Sequence, residues 1–195
     1  MRLKPSRGAW GLALAATILV LIPGCRDLTL PAPRDKASLA PYVASMEIVV
    51  ERLLQLAEVG KDDVVYDLGS GDGRIVIMAA KHFGARGVGY ELDGELVQRS
   101  TEYARRAGVA DLVKFHQQDV MTVDLSPATV VTIYLGREAN LKLRPALQSQ
   151  LRPGARVVSH DFDMGDWAPD AVQQVLEESG TTKTLYLWRI TRPKK

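Results

Sequence analysis

One stretch constrains this chain more than any other: Val64-Val65-Tyr66-Asp67-Leu68 running into Gly69-Ser70-Gly71-Asp72-Gly73. The β-branched apolar run reads as a buried strand. The glycines permit a tight turn and let backbone approach a ligand without interference from Cβ. Ile75 to Phe83 then reads as a buried helix closed by Gly84, so its first N–H groups point at whatever the loop holds. A strand, a glycine loop and a helix in this order belong to a parallel sheet built from right-handed crossovers.

The rest of the chain agrees. Met46, Val49, Val50, Leu53, Leu54 and Ala57 recur at helical spacing, with Ser45 as the expected cap and Gly60 as the stop. Gly87 to Leu92 is a second strand, and Asp93 can cap a helix that ends at Gly108. Val113 to His116, Thr129 to Leu135 and Arg156 to Ser159 read as further strands. Leu143, Leu147 and Leu151 share a helix face, with Pro145 expected in its first turn. Ala171 to Leu176 and Thr184 to Ile190 flank a turn at Glu178-Ser179-Gly180 and read as a closing hairpin; Ala171 to Glu178 as a helix is the alternative. The expected fold is α/β, a Rossmann-like doubly wound sheet of about seven strands, mostly parallel with a C-terminal antiparallel hairpin. Ligands in such sheets sit at the carboxyl ends of strands, where the strand order switches.

Acids mark those ends. Asp67 precedes the loop and Asp72 lies inside it, and the spacing is G-x-G-x-G rather than the G-x-G-x-x-G of dinucleotide sites. A pyrophosphate would be repelled by both carboxylates. A ligand carrying a sulfonium and an ammonium would not. Glu91 ends the second strand, 20 residues beyond Gly71, where a carboxylate accepts ribose hydroxyls. Asp119 follows the third strand and can accept a hydrogen bond from an adenine amino group. Loop and acids in this order suit an adenosyl ligand from amino-acid tail to base, with S-adenosylmethionine as the expected cofactor and Asp67, Gly69, Gly71, Asp72, Glu91 and Asp119 as its candidate contacts.

On these residues the chain resembles the class I S-adenosylmethionine-dependent methyltransferases, with Asp67 to Arg74 as their first motif. More narrowly, it is similar to bacterial relatives of the mitochondrial lysine methyltransferases that act on the ATP synthase c-subunit and on adenine nucleotide translocase. Pro41-Tyr42-Val43, Gly87 to Glu91, Val123-Asp124-Leu125-Ser126 and Ser159 to Trp167 carry that closer likeness. The resemblance implies that the loop contacts the methionine part, Glu91 the ribose and Asp119 the base, and that Tyr42 belongs to a segment folding over the cofactor. It also implies a protein substrate reacting through a lysine side chain. Where enzymes that methylate nucleobase amines carry Asn/Asp-Pro-Pro-aromatic, this chain has Tyr134-Leu135-Gly136-Arg137, which argues against base methylation. His160 and Asp161 follow the fifth strand and are the candidate catalytic pair, because a lysine must lose a proton before it attacks a methyl group.

Two function classes compete with this one. The first is a non-catalytic module that binds an adenosyl ligand or serves as an adaptor. The second is an NAD-dependent oxidoreductase, disfavoured by the glycine spacing and the absence of any Tyr-x-x-x-Lys pair. One cysteine excludes a disulfide framework, and His82, His116 and His160 show no metal-ligand spacing; no metal is expected. The formal charge of +2 comes from Arg2, Lys4 and Arg7 at the start, so no nucleic-acid surface is inferred.

Those three residues precede an uncharged, Leu/Ala/Ile-rich run that ends in Ile22-Pro23-Gly24-Cys25, the pattern of a basic region and an apolar core of a leader. Residues 1–25 are therefore expected to be a signal sequence or membrane anchor, with Cys25 as a lipoprotein attachment site. Residues 26–44 are the expected tether and 45–195 the methyltransferase domain. Positive charge stays on the cytoplasmic side, which places the domain outside the cytoplasm; a misread leader or start codon would place it inside.

Overall fold

The computed structural model describes residues 42–191. The expected leader over 1–25, and the expected tether up to residue 41, lie outside them. Among the described residues no helix is long and apolar enough to cross a membrane.

Helix α1 (Glu47–Leu56) leads into strand β1 (Val64–Leu68), helix α2 (Arg74–Phe83), strand β2 (Arg86–Glu91), helix α3 (Gly94–Arg106) and strand β3 (Val113–Gln117). A single 3-10 turn, Val120–Thr122, separates β3 from β4 (Val130–Ile133). Helix α4 (Arg137–Gln150), β5 (Arg156–His160), β6 (Ala171–Leu176) and β7 (Thr182–Arg189) complete the chain. The seven strands form one sheet in the order β3-β2-β1-β4-β5-β7-β6. The pairings among β1 to β5 are all parallel, β7 runs antiparallel to β5, and the β6–β7 hairpin is also antiparallel. This is the doubly wound sheet and closing hairpin that the sequence implied; Ala171–Leu176 is a strand, not a helix.

The two sheet faces are covered unequally. Apolar residues of α1, α2 and α3 pack with Val65, Val130, Val158 and Leu187 in one core. The other core is closed by Leu143 and Leu147 of α4, together with Val120, Val123 and Leu125 of the β3–β4 connection. Trp188, fully buried, anchors that second core. Its indole N–H donates to the Trp167 carbonyl at 2.8 Å, and Trp167 and Tyr186 pack against its ring with centroids 5.6 and 5.9 Å away.

Three local expectations are corrected. Ser45 does not cap α1; Met46 holds that position without a side-chain bond, because the Ser45 hydroxyl is taken by His160, 115 residues away. The helix stops at Leu56, short of Gly60, with Glu58 in the left-handed region (φ 52°). Pro145 lies inside α4 rather than in its first turn. Both Pro145 and Leu141, whose carbonyl loses its helical partner there, are exposed residues, so the missing bond is lost at the surface and not in the core. Asp93 caps α3 as expected, accepting from the N–H groups of Glu95 and Leu96.

Replacing Trp188 by Ala removes a large buried side chain and orphans the Trp167 carbonyl. The expected loss of stability is about 3–5 kcal/mol, read from the urea midpoint. Tyr103→Ala on the exposed face of α3 is expected to change it by about 0.5 kcal/mol or less.

Candidate active site

The strand order reverses between β1 and β4, and Asp67 sits at that switch. It pairs in register with Thr132 of β4, whose hydroxyl donates to Asp67 Oδ1 at 2.6 Å. Both residues are buried, Asp67 with 2% exposure. Burial pushes the Asp67 carboxyl up to about 7, with the carboxylates of Glu91 and Asp72 adding to the rise and Thr132 opposing it. A buried carboxyl with one hydrogen bond and two acidic neighbours is poised to receive a cation: an ammonium there satisfies its lone pairs and restores its charge.

The loop wraps the same edge. Gly69 and Ser70 both donate to the Tyr90 carbonyl at 2.9 Å, and Gly73 donates to Ser70 at 2.8 Å. Gly69 and Gly71 have φ of 79° and 54°. A Cβ at Gly69 would meet Leu135 at 2.3 Å, and one at Gly71 would meet the Tyr42 ring at 2.5 Å. The hydroxyl of Ser70 is buried without a partner. Glu91 takes the Gly71 N–H on Oε2 (2.8 Å) and the Leu92 and Asp93 N–H groups on Oε1 (2.7 and 3.1 Å), so loop and second strand end are locked together through its carboxylate. Asp119, exposed, caps the 3-10 turn through the Met121 N–H at 2.9 Å. The structure thus brings Asp67, Gly69, Gly71 and Glu91 into one edge and places Asp119 at the next strand end.

Tyr42 lies over Gly71, and the segment it opens is pinned from below. Asp72 and Arg74 form a two-bond pair (2.9 and 2.7 Å), and the third guanidinium nitrogen of Arg74 donates to the Ser45 carbonyl. Partial burial opposes ionisation of Asp72, but the Arg74 guanidinium holds its carboxyl below the usual range. Burial and the Asp72 carboxylate push the Tyr42 phenol up. Asp72 therefore serves the loop through Arg74, a residue that sequence reasoning had only as the end of a motif.

His160 and Asp161 stand at the end of β5. The His160 ring is 1% exposed. Its Nδ1 lies 2.9 Å from the Ser45 hydroxyl and its Nε2 faces Asp161 Oδ2 at 3.6 Å, an arrangement met by a proton on Nε2 and Nδ1 accepting from Ser45. Burial pushes the imidazole down to about 4, against the pull of Asp161. Asp161, in the left-handed region at φ 61°, accepts from the Thr184 N–H and the Lys183 ammonium, both at 3.0 Å. Burial works against its ionisation, but those donors hold its carboxyl below the usual range. The His160 ring packs against Tyr134, centroids 3.9 Å apart and 24° from parallel. Sequence reasoning had Ser45 only as a helix cap and Tyr134 only within the segment after the fourth strand, and it did not single out Thr132 or Lys183. Thr132 alone left a signal, a hydroxyl inside an otherwise apolar strand.

A family described as ANTKMT methyltransferase domain matches residues 67–171. The chain belongs to that family. It is 42% identical over 151 residues to a protein-lysine N-methyltransferase of Saccharolobus islandicus (strain REY15A), covering 77% of this chain and 93% of that one. It is 35% identical over 173 residues to the ATP synthase C-subunit lysine N-methyltransferase of Xenopus laevis, covering 87% and 75%. A solved structure described as an RNA methyltransferase from Salinibacter ruber in complex with S-adenosyl-L-homocysteine superposes with a TM-score of 0.72 at 54% identity, covering 78% of this chain and 97% of that chain. The site's own chemistry fits the methyltransferase cofactor. The buried Asp67 suits its ammonium, the bare glycine backbone suits close approach of its methionine part, and the unpartnered Ser70 hydroxyl offers a further polar contact.

A pH dependence follows for this methyltransferase. The raised Asp67 value means the free fold holds its proton, contributes stability below the ordinary carboxylate range and loses it as pH rises through about 7. The melting temperature of the free protein is expected to fall over that interval, while affinity for S-adenosylhomocysteine rises as the carboxylate forms. Asp67→Asn should flatten both profiles and weaken binding by about tenfold or more, roughly 1.4 kcal/mol, in calorimetric titrations at several pH values.

Proposed function

We propose that this chain is an S-adenosylmethionine-dependent protein-lysine N-methyltransferase. The observation that carries the cofactor part is the buried Asp67 beside the glycine loop, with Glu91 and Asp119 at the next two strand ends. Asp67 takes the ammonium of the methionine part, the Gly69 and Gly71 backbone makes room for it, Glu91 faces the ribose, Asp119 the base, and Tyr42 closes over the loop. The lysine part is supported by the names of the relatives from Saccharolobus islandicus and Xenopus laevis.

When bound, S-adenosylmethionine supplies a sulfonium-activated methyl group, which leaves sulfur for the amine nitrogen while one ammonium proton is given up. The chain's work is to align that amine and to exclude water around it. Asp161, ionised and part-exposed at the acceptor end, offers the amine a carboxylate, with His160 fixed behind it.

The description of the Salinibacter ruber structure favours a second reading, transfer to RNA. Tyr134-Leu135-Gly136-Arg137 after β4 stands against amino methylation of a base. The two readings separate in one assay. The purified chain, given S-adenosylmethionine labelled in the methyl group, is expected to label a bacterial protein extract. Hydrolysis should return the label as methyllysine, and acetylation of the extract's amines should abolish it. Label entering total RNA, with none in protein, would establish the second reading.

The leader pattern over residues 1–25 supports a further part of the proposal: membrane association through the N-terminal segment, by lipid on Cys25 or by an uncleaved anchor, with the domain on the extracytoplasmic side. Protease added to intact spheroplasts is expected to digest the domain. Digestion only after lysis of the inner membrane would place it in the cytoplasm.

A further inference from the structure

The acceptor side has a wall that the sequence did not disclose. In the β1–β4 register, Leu68 pairs with Ile133 as the last pair, so Gly69 and Tyr134 are the residues with which the two chains leave neighbouring strands. In the β4–β5 register, Ile133 pairs with Ser159, which sets Tyr134 beside His160. His160 shares a face of β5 with Val158, the partner of Thr132, and Tyr134 stacks on His160, so Tyr134 lies to the same side as Thr132, the residue that binds Asp67. Tyr134 therefore follows the cofactor-binding carboxylate by one pleat, about 7 Å further toward the open edge. It is half-buried.

Its ring is held from behind. His160 lies nearly parallel to it at 3.9 Å, and Phe162 lies beyond at 6.0 Å, 25° from parallel. His160 is itself fixed by the Ser45 hydroxyl, and the Ser45 carbonyl is fixed by Arg74 of the cofactor loop. A buried imidazole that stays uncharged adds no positive charge beside an incoming amine. The Lys183 ammonium, within electrostatic reach of the Tyr134 hydroxyl, is neutralised by Asp161.

A ring in this place has a specific use. A phenol oxygen can accept an N–H from an amine and so turn its lone pair toward the methyl donor. The ring's electron-rich face also favours the methylated ammonium that forms. We propose that Tyr134 is the acceptor-side residue of this methyltransferase: its hydroxyl, one strand from the glycine loop, orients the amine of the substrate, while Ser45 and His160 are positioning residues that hold its ring. The proposal rests on the amine-methylation reading. It assigns His160 an action through Tyr134 rather than on the substrate proton itself.

The test uses the full chain, with poly-L-lysine and the protein extract as acceptors, S-adenosylhomocysteine for calorimetry, and thermal unfolding as a check on folding. Tyr134→Phe is expected to lower kcat by about tenfold or more with KM for acceptor little changed, and to leave cofactor affinity within about twofold. Tyr134→Ala should also raise KM. Ser45→Ala and His160→Phe should lower kcat less, by about three- to tenfold. The deciding measurement is the double variant His160→Phe/Tyr134→Ala, which should be no slower than Tyr134→Ala alone, since His160 has then lost the ring it positions. His160→Gln replaces His160→Phe if the larger ring does not fold. Unchanged kcat in Tyr134→Phe, or a further loss in the double variant, would overturn the assignment while leaving amine methylation standing. No transfer to either acceptor by the unaltered chain would overturn the amine reading and this proposal with it.

Discussion

The hydrogen bond from Thr132 to Asp67 joins the two strands between which the sheet changes direction, and the site is organised around it. A carboxyl buried in a sheet with a single hydroxyl for company is costly to ionise. The fold tolerates it because the group can remain protonated until a cation arrives. Everything next to it makes that arrival possible. The glycines keep side chains out of the approach, Glu91 ties the loop to its own strand end through the Gly71 N–H, and the Asp72–Arg74 pair holds the segment carrying Tyr42 above the opening. Cofactor recognition and the electrostatic strain of the free protein are two views of one carboxyl group.

A second chain of contacts runs across the sheet rather than along it. Arg74 touches the backbone of Ser45, the Ser45 side chain touches His160, and the His160 ring supports Tyr134. These residues come from α2, the segment before α1, β5 and the end of β4, so the two halves of the open edge are tied by side chains at right angles to the strands. The lone imidazole in this series is buried, uncharged and without a full partner at Nε2, which suits a spacer between rings.

Much of this architecture could be read in the sequence because it is written locally. Alternating β-branched strands and amphipathic helices gave the sheet, and Asp67, Glu91 and Asp119 stand out as acids at the ends of apolar runs. What could not be read depends on partners far along the chain. Ser45 has the look of a helix cap, and only the fold brings His160 within reach of it. Tyr134 follows an apolar strand at a place the sequence marked only by what it lacks, the Asn/Asp-Pro-Pro-aromatic motif, and nothing local shows that His160 would support its ring. Helix α4 begins at Arg137, ahead of its buried leucines, and Asn140 in its first turns is fully buried, donating to Ser159 and to the Phe162 carbonyl at 2.8 and 3.0 Å. A polar residue at a core position breaks the hydrophobic period on which the boundary was judged. Pro145 then drew the expected start toward itself, although an exposed proline inside a helix costs less than a buried one.

The single 3-10 turn between β3 and β4 leaves Tyr66, Tyr90 and His116 as an aromatic ladder across the sheet, with centroids 5.2 and 5.6 Å apart. A shallow cavity of about 380 Å³ opens beside them. Among the described residues no α-helix belongs to the connection on this flank, and none of the cofactor-facing side chains is rooted in that connection except Asp119 at its very start. Chain length could therefore be added after Asp119 without disturbing the geometry at Asp67, Gly71 or Glu91. The flank beside Tyr66, Tyr90 and His116 is thus mechanically separate from the cofactor edge, although both belong to one sheet.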